Sequence, residues 1–329
     1  MAGLVPAIHV LFGDEVEHVD ARHKAGHDDA RVCGAGCKVM AEFLQLVFSG
    51  LTVGAVYALV ALGFTLVYNA SDVINFAQGD FVMIGGMGTV FLMAAGVALP
   101  FAVLIAVVAA VLVGLLLHRL AIEPARGASP VALIMITIGA SIFIKGVAQI
   151  VFDKQFHSLP AFSGTDPIAI GGATILPQSF WVIGGMLALV FGLWLFLERT
   201  LIGKAVLATA ANRLAARLVG INVTVVLALA FGLSAAIGAV GGVLVTPITL
   251  TRYDVGTLFA LKGFAAAMVG GMGNPIGAVV GGLLIGLMEA FGAGYLSSTY
   301  KDAVAFVAIL VVLLVMPQGL FGRRSVERV

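Results

Sequence analysis

Residues Phe43–Ala70 read FLQLVFSGLTVGAVYALVALGFTLVYNA, 28 residues without Asp, Glu, Lys or Arg. A bilayer core takes about 20 apolar residues per helix, so this stretch spells one membrane span. Working outward, Phe81–His118 continues for 38 residues without a charge, is divided by Pro100, and reads as two spans. Gly127–Ile144 is charge-free and extends past Lys145 to about Val151. Pro167–Leu197 contains the next span, from Ser179 onward, and Leu218–Thr251 holds another. Gly263–Met288 is interrupted at Gly273-Asn274-Pro275, giving two short spans or a re-entrant pair, and Ala303–Met316 is the last. The expected fold is all-α: a polytopic membrane protein with eight or nine transmembrane helices, including a broken or re-entrant segment near residues 271–276.

Composition agrees with this reading. The chain has 329 residues, of which 61% are hydrophobic and 11% charged, against about 45–50% and about 25% in globular domains. Too few polar residues remain to coat a surface facing water. The first 42 residues hold 11 of the 35 charges, leaving 24 for the other 287. A soluble enzyme, a nucleic-acid binder and a disulfide-rich secreted domain are excluded, and a net charge of +1 gives no support for a polyanionic partner.

Residues 1–39 form a polar prefix containing Cys33, Cys37, His9, His18, His23 and His27. The spacings C-x3-C and H-x4-H-x3-H match no strong zinc pattern, so no metal site is assigned. Charge-rich segments without a core stay unfolded. The prefix therefore reads as a disordered tail, or as a lead ahead of a start near Met40, which directly precedes the first apolar run. It lacks a secretory signal's order of basic start, apolar run and small-residue cleavage site. Residues 40–322 make up the membrane domain and 323–329 a basic tail.

Lys and Arg accumulate in cytoplasmic loops. Arg119 and Arg126 lie in one loop, Arg199, Lys204, Arg213 and Arg217 in a second, and Arg323, Arg324 and Arg328 in the tail. Even numbers of spans separate the three, so they share a face. The opposite loops hold Lys154, Arg252 and Lys301. The expected C-terminus is cytoplasmic. The N-terminus is outside for nine spans and inside for eight.

No H-E-x-x-H, G-x-S-x-G or Walker A pattern is present, and no catalytic residue is assigned. Ser234, in Gly232-Leu233-Ser234-Ala235, reads as a packing serine on a glycine-rich helix. Intramembrane polar groups are a better guide, because each is costly to desolvate without a partner or a use. Asn75, Gln78 and Asp80 stand between the first two apolar runs. They form either a broken approach to a helix lining a polar cavity, or an interfacial loop with Asp80 at the positive helix end. On a helix, Asn75 and Gln78 would share one face. Glu289, deep in an apolar run, requires a partner or a wet cavity. These four residues are the candidates for a translocation pathway. Lys145 approaches the outer end of its span, where lysine can snorkel. Gly273, Gly277 and Gly281 recur at four-residue spacing, as do Gly50/Gly54, Gly238/Gly242 and Gly282/Gly286, which places small residues on single helix faces for close packing.

Glu198–Asn222 is the longest of the basic loops. Its alanine-rich centre favours helix, Gly220 suits a helix C-terminus, and no apolar run reaches span length. It reads as a short surface helix between two spans, suited to docking.

This segment, G-x-A-x-x-A-x-A-x-N-x-x-A-A-x-L-x-G-I-N from Gly203 to Asn222, resembles the cytoplasmic coupling loop of the permease subunits of branched-chain amino acid ABC transporters. Gly54–Tyr68 (GAVYALVALGFTLVY), Ile74–Phe81 (INFAQGDF), Gly270–Glu289 (GGMGNPIGAVVGGLLIGLME) and the closing PQGLFG of 317–322 agree in order and spacing. The likeness covers about residues 43–322 and is nearest to the smaller of the two paralogous permeases. The chain departs from it at Leu207, Leu214 and Met316, where basic, acidic and Arg residues are usual. The resemblance implies an ATPase-coupling role for Gly203, Ala205, Ala208, Ala210, Asn212, Ala215, Ala216, Leu218 and Gly220. It implies a bilayer setting in the inner membrane, a second permease subunit, two cytoplasmic ATPases and a periplasmic substrate-binding protein. No cofactor is expected on this chain, since partner subunits would bind the ATP. A rival reading is a self-sufficient channel or ion-coupled carrier for small amides or amino acids, which would have no need of an alanine-rich docking helix.

Overall fold

The computed structural model describes residues 35–296, 301–316 and 318–322. Most of the polar prefix and the basic tail lie outside the described residues. Among the described residues eleven α-helices follow one another: α1 (Ala35–Ser71), α2 (Gln78–Ala94), α3 (Leu99–Leu117), α4 (Pro130–Val151), α5 (Pro177–Arg199), α6 (Leu201–Ala211), α7 (Arg213–Leu218), α8 (Val223–Val245), α9 (Val255–Gly270), α10 (Pro275–Phe291) and α11 (Lys301–Val315). Five-residue π-turns extend α3 (His118–Ile122) and α10 (Gly292–Leu296). Six helical segments are long and apolar enough to cross a membrane. Helices α2, α9 and α11 have 17, 16 and 15 residues, or about 23–26 Å at 1.5 Å per residue. Among the described residues the structure thus holds six span-length helices and these shorter apolar ones, the pattern of a polytopic all-α membrane protein.

The chain divides into two compact units, Met1–Gln45 with Ile168–Ile175, and Leu46–Pro167 with Leu176–Val329. In the first, two short antiparallel strands, β1 (Ile168–Ile170) and β2 (Ala173–Ile175), pair Ile168 with Ile175. The Thr174 amide donates to Gln45 Oε1 at 2.7 Å. This hairpin was not expected from the sequence, which gave no alternation long enough to signal a strand. It occupies part of the polar stretch before α5, and that helix begins at Pro177 rather than Ser179.

In the second unit α1 is the central element. Residues 55–62 are all buried, as expected of a helix that is apolar around its whole circumference. Helices α3, α4 and α5 are amphipathic in a different sense: Ala102, Ala106 and Ala110 turn inward, while Leu104, Val108, Phe143, Ile150 and Phe191 face outward. An outer surface of large apolar side chains belongs against lipid, because soluble monomers rarely expose such a continuous patch.

Small residues bring the inner helices into backbone contact. A methyl group placed on Gly282 of α10 would lie 2.3 Å from the Ala58 amide nitrogen of α1, and one on Gly286 would lie 2.3 Å from the Gly54 Cα. On Gly242 of α8 it would lie 2.0 Å from the Val82 carbonyl oxygen of α2. Gly277 and Gly281 of α10 sit against Gly270 and Ala266 of α9 in the same way. Gly273 does not join them on that helix face. It occupies the turn between α9 and α10 with φ of +97°, and Asn274 with Pro275 starts α10. The Asn274 side chain accepts from the amides of Ile276 and Gly277, at 3.0 and 3.2 Å, and proline at the first helical position has no amide to satisfy. The interruption near 271–276 is thus a turn between two antiparallel, closely packed helices.

Candidate functional site

Three groups of polar residues stand out against the apolar interior. The first surrounds the turn between α1 and α2. Asn75 lies in that turn and not on a helix, so it does not share a helical face with Gln78, as the spacing alone suggested. Its Oδ1 accepts from the Ala77 amide at 3.2 Å, while its Nδ2 has no partner among the described residues. Thr137 on α4 accepts from the Phe76 amide at 3.2 Å, which satisfies a turn buried away from water. Gln78 begins α2 and points at α8. Its Nε2 donates to the Ser234 carbonyl at 3.1 Å, and the Ser234 hydroxyl lies within hydrogen-bond reach of both Gln78 Oε1 and the Gly63 carbonyl oxygen. Asn75, Gln78 and Asp80 are 0, 0 and 1% exposed, so all three are enclosed by protein. Ser234→Ala should cost about 1–3 kcal/mol, since it strands buried acceptors. A thermal melt of the detergent-solubilised protein that matched wild type would show these hydrogen bonds to be unimportant.

The second group is an ion network. Glu289 on α10 accepts from Lys262 Nζ on α9 at 2.8 Å and from Tyr57 Oη on α1 at 2.8 Å. Lys262 also donates to Tyr57 Oη at 3.0 Å and pairs with Asp302 on α11 at 2.6 Å. Four helices therefore meet on one ammonium group. Sequence reading identified Glu289 but missed Lys262. The lysine stands directly before the uncharged run that begins at Gly263. Glu289 signalled the need for a partner, but only the turn between α9 and α10 brings Lys262, 27 positions away, opposite it.

The third group is the segment after α5. It forms two helices, α6 and α7, where one was expected. Asn212 ends α6 and caps α7 by accepting from the Ala215 amide at 2.9 Å, and its extended backbone breaks the helix between them. Thr200 caps α6 through the Gly203 amide at 2.9 Å. Gly203 is buried so closely on α5 that a methyl would lie 2.2 Å from the Phe196 carbonyl oxygen. Gly220 ends α7 with φ of +89°, a conformation glycine adopts without steric cost. Val206 packs with Leu197 and Val226. Ala216 is buried, Ala205 and Ala208 are half-buried, and Ala210, Asn212, Ala215, Leu218 and Gly220 are exposed. Leu207, Leu214, Leu218 and Val219 leave large apolar surface uncovered. Arg213 ties α7 to the end of α1 through Asp72 at 2.6 Å, three residues before Asn75.

These contacts also fix which helix ends lie together. Arg213–Asp72, Arg126 to Thr224 and Asn69 to the Gly273 carbonyl gather one set. The bridge between His157 and Thr251 gathers ends from the opposite set.

Comparison with known proteins gives consistent relatives. The chain is 35% identical over 302 residues to the high-affinity branched-chain amino acid transport system permease protein BraD of Pseudomonas aeruginosa, covering 88% of this chain and 98% of that one. It is 35% identical over 306 residues to the LivH permease protein of the corresponding Escherichia coli system, covering 87% and 98%. A solved structure, PsaBC from Streptococcus pneumoniae in complex with Fab, is similar at 15% identity with a TM-score of 0.44, covering 86% of this chain and 93% of that one. With residues 46–313 matching the family model, the chain belongs to the family described as branched-chain amino acid transport system / permease component.

Proposed function

We propose that the chain is one permease subunit of an ABC importer that moves branched-chain or similar small apolar amino acids through the inner membrane. The observation that carries this is the pair α6–α7. It is an exposed, partly apolar surface on a transport permease, gathered with the basic loops and joined to α1 by a salt bridge. In this reading that face and the C-terminus are cytoplasmic, and residues 40–322 form the permease domain. Two ATPase subunits dock on α6–α7, a second paralogous permease completes the pore, and a periplasmic binding protein delivers the substrate. Hydrolysis shifts the population between outward- and inward-open states through that contact. Arg213–Asp72 then carries displacement of α7 to the turn that holds Asn75. Of the pathway candidates, Asp80 fits that role best, since its buried carboxylate has no hydrogen-bond partner among the described residues; Gln78 and Glu289 are held by protein partners.

The test is a bulky charge on the exposed face. Ala215→Arg and Leu218→Asp should insert at normal levels but lower leucine uptake by the assembled transporter about ten-fold or more, a loss of about 1.4 kcal/mol or more in coupling. Hydrolysis should no longer be tied to uptake. Normal coupled transport in both variants would remove the docking surface from this reading.

A further inference from the structure

A cavity of about 110 Å³ opens between α4 and the start of α9, walled by Phe76, Ser141, Ile142, Lys145, Thr257 and Leu261. Lys145 does not snorkel away from it. Its ammonium donates to Thr257 Oγ1 at 3.0 Å. Ser141, one helical turn before Lys145, shares its face and is buried. Asp80 is 1% exposed, and neither of its carboxylate oxygens has a hydrogen-bond partner among the described residues. Helix α2, which carries Asp80, packs on α4, which carries Ser141 and Lys145. A carboxylate enclosed in this way is costly unless a donor or cation joins it.

We propose that this cavity binds the zwitterionic head of an α-amino acid. The substrate carboxylate takes the Lys145 ammonium and the Thr257 hydroxyl. The substrate ammonium donates to the Ser141 oxygen, whose own hydrogen turns to Asp80, so that the buried carboxylate balances the incoming cation. The apolar side chain lies along Ile142 and Leu261. Charges of opposite sign make the site selective: Lys145 in the cavity wall repels a simple amine, and Asp80, buried on α2 and not itself part of the wall, disfavours a simple carboxylate. The volume fits the head group and not a whole large solute, because each liquid water occupies about 30 Å³ and the cavity would hold only a few. This site deepens the proposed transport role and rests on it, since it supplies the stage of the pathway at which the substrate has left the binding protein.

The experiment uses the assembled transporter in membrane vesicles, with Cys33 and Cys37 replaced by serine and Leu261→Cys introduced. A water-soluble maleimide labels position 261, and uptake of labelled leucine is measured on the same vesicles. Leucine at about four times its dissociation constant should slow labelling about five-fold. The amine 3-methylbutylamine and the acid 4-methylpentanoate should not. Adding Lys145→Met should abolish the leucine effect, and Lys145→Arg should retain it. Ile142→Cys provides a second reporter if Leu261→Cys does not assemble. Vesicles that take up leucine while both reporters are never labelled, or are labelled at an unchanged rate, overturn the site and leave the transport role standing. Equal protection by the amine or the acid overturns the zwitterion assignment. Protection by leucine without uptake upholds the site and overturns the transport role.

Discussion

Lys262→Met is expected to destabilise the protein by about 3–5 kcal/mol, the cost of removing one partner from a buried ion pair. Lys262 and Glu289 are 6 and 7% exposed, so the carboxylate left behind keeps only the Tyr57 hydroxyl at 2.8 Å. The double variant Lys262→Met/Glu289→Leu should recover most of the loss, because two apolar side chains of similar volume need no desolvation. Asp302→Asn removes the same lysine's other carboxylate and should cost only about 0–1 kcal/mol. The difference is burial: the Asp302 side chain is 48% exposed and can be solvated. Thermal unfolding in micelles across this series measures all three values. A Lys262→Met melt equal to wild type, or a double variant no better than the single one, would mean that the network carries no net charge stabilisation.

That network also marks the limit of what was legible in the sequence. Charge-free runs located every long helix, because the bilayer core fixes their length. The break at 271–276 was legible from Gly273-Asn274-Pro275, where each residue has a local reason to end or start a helix. Glu289 was legible as a group in need of a partner. Its partner was not, because Lys262 stands 27 positions away and is brought opposite only by the turn between α9 and α10. Whether Asn75 stood on a helix or in a loop was left open for a related reason. Ile74–Asp80 contains no proline or glycine before position 79, and the turn is held instead by Thr137 from α4, a tertiary contact that no local pattern contains. The break between α6 and α7 was also hidden, since alanine on both sides of Asn212 favours one continuous helix until the asparagine side chain caps the second. The cavity beside Lys145 depends on the turn before α2, on α4 and on α9 together, and of its walls only the lysine was singled out in the sequence.

The glycines of α8 separate close packing from helix propensity, and the second large effect is expected there. Gly241 and Gly242 are adjacent, yet α8 turns them to different neighbours. A methyl on Gly242 would lie 2.0 Å from the Val82 carbonyl oxygen and 2.8 Å from its carbonyl carbon. Those are backbone atoms of α2, which no rotamer change can move. A methyl on Gly241 would instead meet Leu59 Cδ1 at 3.4 Å and its Cβ at 3.6 Å, ordinary van der Waals contacts with a side chain. Overpacking a filled interior costs about 1–3 kcal/mol or more even where side chains can adjust. Gly242→Ala should therefore reach or exceed the upper end of that range and sharply reduce the yield of folded protein. Gly241→Ala should be neutral or stabilising, since alanine is favoured over glycine in a helix by about 0.8–1 kcal/mol. Comparing folded yield and melting temperature of the two variants in one detergent holds composition, depth and helix constant. Equal outcomes would show that these glycines are not what brings α2 and α8 together. A large loss confined to Gly242 would place the closest helix contact where Val82 meets it, one turn from the reciprocal contact of Gly85 with the Ala239 carbonyl oxygen.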